Sequence, residues 1–276
     1  LPDKTGPALS FCSNSKKLML FLCSMQAISK NQIKYIRSLS QIKFRKAHQA
    51  YIVEGLKNAA EWLQQGANLE YIVALQTWFD QNAELRKAYD TQQCLIATEE
   101  DFEKISGFKT PNQVLLVAKM PQHKDMMVET GKGTWTLMLD KVQDPGNLGT
   151  IIRTADWFGI KTIICSPDCV EQFNPKVIQS TMGSLLRVHC VYTDLVAFLQ
   201  ARPETPSYAA ILGGTSLNAA QKYAPGFIIM GNESKGISEE VKALVQHQLT
   251  IDRIGPDAES LNVAVATGIF CHTLIQ

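Results

Sequence analysis

Residues 134–165 read TWTLMLDKVQDPGNLGTIIRTADWFGIKTIIC. The apolar run 135–140 ends on an acid and predicts a strand. Asp-Pro-Gly-Asn breaks it, and the pattern from 147 to 158 predicts a helix with Asn147 as its cap. Residues 162–165 predict a second strand. A strand, a helix and a strand at this spacing form a crossover unit whose two strands lie parallel.

The alternation continues towards the C-terminus. Strands are expected at 187–191, 208–212, 227–230 and 248–251. Helices are expected at 174–181, 194–201, 238–245 and from 261 onward. Such alternation predicts a mostly parallel sheet covered on both faces, in a unit spanning 134–276.

Upstream lies a second α/β unit, 25–119. A helix capped by Ser29 runs to Leu39, with Ile33, Ile36 and Leu39 on one stripe. Strands follow at 50–54, 71–75, 94–97 and 114–118. Helices follow between Gly55 and Gly66, at 77–88 and at 99–105. The polar stretch 120–133, MPQHKDMMVETGKG, reads as a linker. Residues 1–24 mix Pro, Gly and Ser with one short apolar stretch. They are expected to be a poorly ordered extension, upstream of a natural start near Met25.

Composition narrows the possibilities. The chain has 276 residues, 45% hydrophobic and 19% charged, an ordinary globular balance that excludes a disordered or coiled-coil architecture. Its apolar runs fall well short of the roughly 18 residues of a membrane span. Seven cysteines without CxxC pairs argue against a disulfide framework or a thiolate zinc site and favour a reducing cytoplasm. Net charge is +1, yet residues 1–53 hold nine Lys and Arg against Asp3 alone, leaving 18 basic and 25 acidic groups in the rest. Lys30, Lys34, Arg37, Lys43, Arg45 and Lys46 thus form a basic segment suited to a polyanion. Charge alone equally allows a solvated helix face.

Ligand sites in parallel α/β sheets lie beyond the carboxyl ends of the strands. The loops there lack GxGxxG, GxxxxGK[ST] and GxSxG, and no HExxH is present, which excludes the common nucleotide, hydrolase and zinc fingerprints. Three polar, Gly-containing loops remain. The first, 144–153, holds Asn147, Gly149 and Arg153; a helix N-terminus with an Arg suits an anion. The second, 230–238, holds Met230, Gly231, Asn232, Glu233 and Gly236. The third, 251–268, runs from Ile251 through Ser260, Leu261 and Asn262 into an apolar helix, with Ser260 as the expected cap. Ala264, Ala266 and Gly268 suggest close packing of that helix. Taken singly, each loop also reads as an ordinary turn or helix cap.

Together, the three loops resemble the motifs of the SpoU/TrmH family of SPOUT-type RNA 2′-O-ribose methyltransferases. N-x-G-x-x-x-R is matched by Asn147, Gly149 and Arg153, and G-N-E-x-x-G by Gly231, Asn232, Glu233 and Gly236. S-L-N-V-[SA]-V-A is matched by residues 260–266. Thr181-Met182-Gly183-Ser184 resembles a further family segment. Residues 44–63 resemble the substrate-binding domain often found ahead of these enzymes, itself similar to ribosomal proteins that bind kinked RNA. One departure is Ile251-Asp252 where the family often has Ile-Pro.

The resemblance implies an α/β fold: a trefoil-knotted parallel-sheet methyltransferase domain, preceded by a small α/β/α RNA-binding domain. It implies S-adenosylmethionine as cofactor, without a metal, contacted at Gly213, Met230, Gly231, Ile251, Ser260 and Leu261. It implies transfer of the methyl group to a ribose 2′-OH, with Arg153 as the catalytic residue and Asn147, Glu233, Ser260 and Asn262 placing it and the ribose. A guanidinium holds its proton above about pH 12, so Arg153 is expected to stabilise the developing alkoxide and clamp the adjacent phosphate. The substrate is expected to be ribosomal RNA, with a tRNA or a catalytically inactive RNA-binding role as alternatives. A homodimer through the knot domain is expected, in the cytoplasm and off the membrane.

Overall fold

The computed structural model describes residues 25–86, 89–121, 133–218, 220–255, 257 and 259–275. The expected extension at 1–24 and most of the expected linker, 122–132, lie outside them.

The N-terminal unit contains β1 (Gln26–Ala27), α1 (Lys30–Ser38), α2 (Ile42–His48), β2 (Ala50–Glu54) and α3 (Leu56–Gln64). It continues with β3 (Leu69–Ala74), α4 (Gln76–Gln81), α5 (Ala83–Arg86), β4 (Cys94–Ile96), α6 (Glu99–Ile105) and β5 (Val114–Lys119). Local chemistry explains the helix starts. Ser29 and Gln32 form a capping box on α1, as Thr98 and Asp101 do on α6. The sheet order is β1-β4-β3-β5-β2, with β5 antiparallel to both of its neighbours. One face, with Ile52, Val73, Leu115 and Val117, packs under Ile36 and Leu39 of α1 and Phe102 of α6. The expected stripe on α1 therefore faces the core.

The C-terminal unit contains β6 (Thr136–Leu139), α7 (Pro145–Trp157), β7 (Thr162–Cys165), α8 (Pro175–Thr181), β8 (His189–Tyr192) and α9 (Leu195–Gln200). Then come β9 (Ser207–Ser216), β10 (Phe227–Met230), α10 (Glu239–Lys242), β11 (His247–Thr250) and α11 (Val263–Leu274). Six strands run in the order β11-β9-β10-β6-β7-β8, and every pairing is parallel. Strands β6, β7 and β10 are buried throughout, as a sheet covered on both faces requires. Met138, Ile164 and Ile229 pack on one side with Leu195 and Val241. Leu137, Leu139, Ile163 and Ile228 face the other side, with Ile151 of α7, Ile178 of α8 and Phe270 of α11.

Gly149 matters to that second layer. A Cβ built on it would lie 2.4 Å from Ser180 Cβ and 3.0 Å from the Val177 carbonyl, so α7 and α8 pack at a distance only glycine permits. Gly268 plays no such part: nothing comes within 4 Å of its would-be Cβ. The expectation of close packing at Gly268 is corrected; Ala264, at 6% exposure, is the small residue that is buried.

The two units share one apolar cluster. Tyr51, Val53, Trp62 and Leu116 of the first belong to the same buried group as Leu139, Ile152 and Ile178 of the second. Tyr51 stacks on Phe173 with ring centroids 4.6 Å apart, and Trp62 Nε1 donates to Tyr51 Oη at 3.0 Å. Arg187 bridges the junction at the surface, 2.8 Å from Asp156 and 3.5 Å from Glu61.

Several helix starts differ from expectation. Asp144, not Asn147, caps α7: its Oδ1 accepts from Asn147 N at 2.8 Å, and Pro145 takes the first helical position. Asn262, not Ser260, caps α11, accepting from the N–H groups of Ala264 and Val265. Ser238 holds the cap position of the short α10, but its hydroxyl donates to Asp140 instead.

Arg45 departs furthest from its expected place. It is 2% exposed. Its Nη1 donates to the carbonyls of Leu39 and Ser40, and its Nε and Nη2 donate to Glu171 Oε2 at 2.9 and 2.6 Å. It joins the two units and does not face solvent. Lys30, Lys34, Arg37, Lys43 and Lys46 are exposed, as expected.

Candidate active site

The three loops singled out above meet at the carboxyl ends of the C-terminal sheet. Asp140, 2% exposed at the end of β6, accepts from Ser238 N at 2.7 Å and Ser238 Oγ at 2.6 Å. This ties the exit of β6 to the loop after β10. That loop closes on itself through paired backbone bonds between Asn232 and Gly236, both 2.9 Å. Asn232 Oδ1 accepts from the N–H groups of Ser234 and Lys235, and Asn232 Nδ2 donates to the Lys141 carbonyl. A Cβ on Gly231 would sit 2.3 Å from the Gly236 carbonyl carbon, so the turn closes only around glycine.

Closing the turn aims Glu233 at α7. Asn147 Nδ2 donates to Glu233 Oε1 at 2.8 Å, and Asn262 Nδ2 donates to Asn147 Oδ1 at 2.9 Å. Glu233 Oε2 also accepts from Asn232 Nδ2 at 3.3 Å. Three residues from three loops thus form one directed chain, Asn262 to Asn147 to Glu233. The amide orientations follow from it, because Asn262 Oδ1 is held by the start of α11 and leaves its Nδ2 to donate.

Beside this chain opens a cleft of about 970 Å³. Met230, Gly231, Glu233, Ile251, Ser260 and Leu261 line it, together with apolar Ile211, Val263 and Phe270. The volume and the mix of apolar walls with a few polar groups suit a nucleoside-sized ligand. Gly213 is not on the wall; Leu212, next to it on β9, is. Asp252, where the expected pattern has proline, accepts a hydrogen bond from Ser216 Oγ. A side-chain tie to β9 thus holds the start of the third loop.

Arg153 lies in the third turn of α7 and is exposed. It does not line the cleft, and no hydrogen bond or ion pair among the described residues involves it. The helix begins two residues earlier than expected, so Arg153 stands apart from the N-terminal turn it was expected to reach.

The described cysteines, Cys94, Cys165, Cys169, Cys190 and Cys271, are free and buried. Among the described residues no helix is long and apolar enough to cross a membrane.

Residues 134–272 match the model of the SpoU rRNA Methylase family, and residues 30–116 match that of the MRM3-like substrate binding domain. The 23S rRNA (guanosine(2553)-2′-O)-methyltransferase RlmP of Bacillus subtilis is 30% identical over 254 residues, covering 89% of this chain and 97% of that protein. A solved TrmH-family RNA methyltransferase candidate from Porphyromonas gingivalis is 37% identical with a TM-score of 0.77, covering 89% of this chain and 97% of its own. An AdoMet-bound rRNA methyltransferase from Sinorhizobium meliloti is 28% identical, also at a TM-score of 0.77, covering 90% and 95%.

Proposed function

This chain belongs to the SpoU rRNA methylase family, and from that starting point we propose that it transfers a methyl group from S-adenosylmethionine to a ribose 2′-OH of ribosomal RNA. The hydrogen-bonded chain Asn262–Asn147–Glu233 beside the cleft carries this reading. It supplies a positioned, partly anionic rim where an RNA strand would lie against a bound cofactor. The AdoMet-bound relative and the 2′-O specificity of the RlmP relative support the choice of cofactor and acceptor.

The residues present fit that cofactor. Met230, Gly231, Ile251 and Leu261 would hold it, with Ile211 and Phe270 against its adenine, and Ser260 at the rim. When bound, it supplies an electrophilic methyl on a sulfonium. The chain's own residues supply placement. Asn147 and Glu233 would hold the ribose, and Arg153 would stabilise the developing alkoxide and clamp the neighbouring phosphate.

Arg153 stands off the cleft of its own chain, which supports a site shared between two copies. Trp157 on α7 and Val265 on α11 are 85% and 54% exposed and apolar, a pair suited to a homodimer contact near Arg153. A trefoil-knotted path of the C-terminal segment and a cytoplasmic location belong to the same reading. The buried free thiols support the location.

Calorimetry with S-adenosylmethionine, paired with mapping of 2′-O-methyl sites in total RNA from cells with and without the gene, tests the proposal. Micromolar binding, on the order of 8 kcal/mol, and one ribosomal site lost with the gene are expected. Absence of both overturns it.

A further inference from the structure

A second cleft lies in the N-terminal unit, far in sequence from the three loops. It measures about 350 Å³ and is lined by Asn31, Gln32, Tyr35, His48, Glu70 and Tyr71. We propose that it is a subsite for one unstacked guanine base of the RNA substrate, an inference that rests on the reading above that the chain acts on RNA.

The walls are aromatic. The rings of His48 and Tyr71 lie 5.0 and 6.4 Å from Tyr35 and stand at 83° and 79° to it. His48 runs nearly parallel to Phe44, at 20° and 6.5 Å, and Lys43 Nζ lies 4.7 Å from the Phe44 ring centre. Aromatic faces interleaved with lysines suit single-stranded nucleic acid, since every base has a face to stack and every nucleotide a phosphate. Lys30, Lys34 and Lys46 are exposed on the same two helices.

Glu70 selects the base. A carboxylate in a basic surface repels phosphate, so its use in such a cleft is to accept hydrogen bonds from a base. Tyr35 Oη donates to Glu70 Oε2 at 2.9 Å and fixes the side chain. Each carboxylate oxygen has two lone pairs, so both can still accept. Guanine presents two adjacent N–H donors, N1–H and N2–H, that match the two oxygens. Cytosine and adenine place a ring-nitrogen acceptor beside their amine, which would face the second oxygen unpaired. Uracil offers a single N–H between two carbonyls. Gln32 Oε1 accepts from Ser29 N and Ser29 Oγ, so the group it offers the cleft is its donor amide. That amide suits guanine O6.

The test titrates the full chain, saturated with S-adenosylhomocysteine to close the cofactor cleft, with each of the four ribonucleoside 5′-monophosphates. Guanosine monophosphate should bind about tenfold more tightly than the other three. Glu70→Gln should lose that preference and shift towards adenosine monophosphate, because an amide pairs with adenine. His48→Ala, at an exposed position that the fold tolerates, should weaken guanosine monophosphate about tenfold through lost stacking. Equal affinity for all four, a preference that survives Glu70→Gln, or unchanged affinity in His48→Ala overturns the subsite. Such a result with RNA methylation intact leaves the proposed function standing. A guanosine preference without cofactor binding or methyl transfer does the reverse.

Discussion

Arg45 Nη2 lies 2.6 Å from Glu171 Oε2, joining two residues 126 positions apart in the sequence. Glu171 sits in the loop that leaves β7 at its carboxyl end. The neighbouring Val170 N donates to the Val142 carbonyl in the loop ahead of α7. Lys141, one residue earlier, accepts from Asn232 of the turn that carries Glu233. The pair, buried on the arginine side, thus seats α2 on the same end of the sheet as the candidate active site.

Arg45→Ala should cost about 1–3 kcal/mol of stability, because it takes a buried guanidinium away from the half-buried Glu171 and from the Leu39 and Ser40 carbonyls. Lys43→Ala and Lys46→Ala, on the exposed side of the same helix, should change stability by less than about 0.5 kcal/mol. Urea unfolding of the three variants checks the contrast. Equal, small effects would mean that the junction does not depend on Arg45.

Arg153→Ala should abolish methyl transfer while leaving S-adenosylmethionine affinity near that of the unmodified chain, because Arg153 does not line the cofactor cleft. Arg153→Lys should also fail, since an ammonium cannot replace a planar fork of donors. Single-turnover assays with calorimetry in parallel separate the two properties. Near-normal turnover in the lysine variant would reduce Arg153 to a surface charge.

Asn147→Ala removes the middle of the Asn262–Asn147–Glu233 chain. It should lower turnover by about a hundredfold through misplacement of the ribose and of Glu233. Its effect on stability should be small, because Asp144 caps α7 in its place. Turnover and melting temperature measured together check this. A large loss of stability with turnover intact would show the chain to be structural.

Lys34→Glu, Arg37→Glu and Lys46→Glu combined should weaken RNA binding and flatten its dependence on salt. The log–log slope should fall by about 0.7–0.9 for each phosphate that is no longer neutralised. Arg45 is excluded from this set by its burial. Filter binding across a salt series reads the slope. An unchanged slope would move RNA recognition to another surface.

Asp156 links stability to pH. Burial raises its carboxyl, but the hydrogen bond and charge of Arg187, with help from Ser184, outweigh burial and hold it below the usual aspartate value. A depressed carboxyl stabilises the fold above its ordinary pKa and loses that contribution as pH falls through the lowered value. Asp156→Asn should therefore melt lower than the unmodified chain at pH 7, and the gap should begin to narrow at about pH 4 and close as pH falls through the lowered value. A gap independent of pH would show that the pair contributes nothing through charge.

The amino-acid sequence by itself determined most of the elements and their order, but not the two-residue β1 or the helix α2 that carries Arg45. Ser29, Thr98, Asn174 and Asp194 act as caps within a few residues of themselves, and the apolar runs of β6, β7 and β10 are buried as read. These are local effects, set by hydrogen bonds and periodicity over short spans. The motif residues Asn147, Glu233 and Asn262 were also legible, as chemistry without geometry. Only the tertiary structure decided that they touch, since their bonds span 86 and 115 residues. The same holds for Arg45, which shares a charge run with five exposed basic residues. Its burial depends on Glu171 and on the Leu39 and Ser40 carbonyls meeting around one guanidinium. Charge is a property of a residue, but whether that charge meets water or a partner is a property of the packed chain.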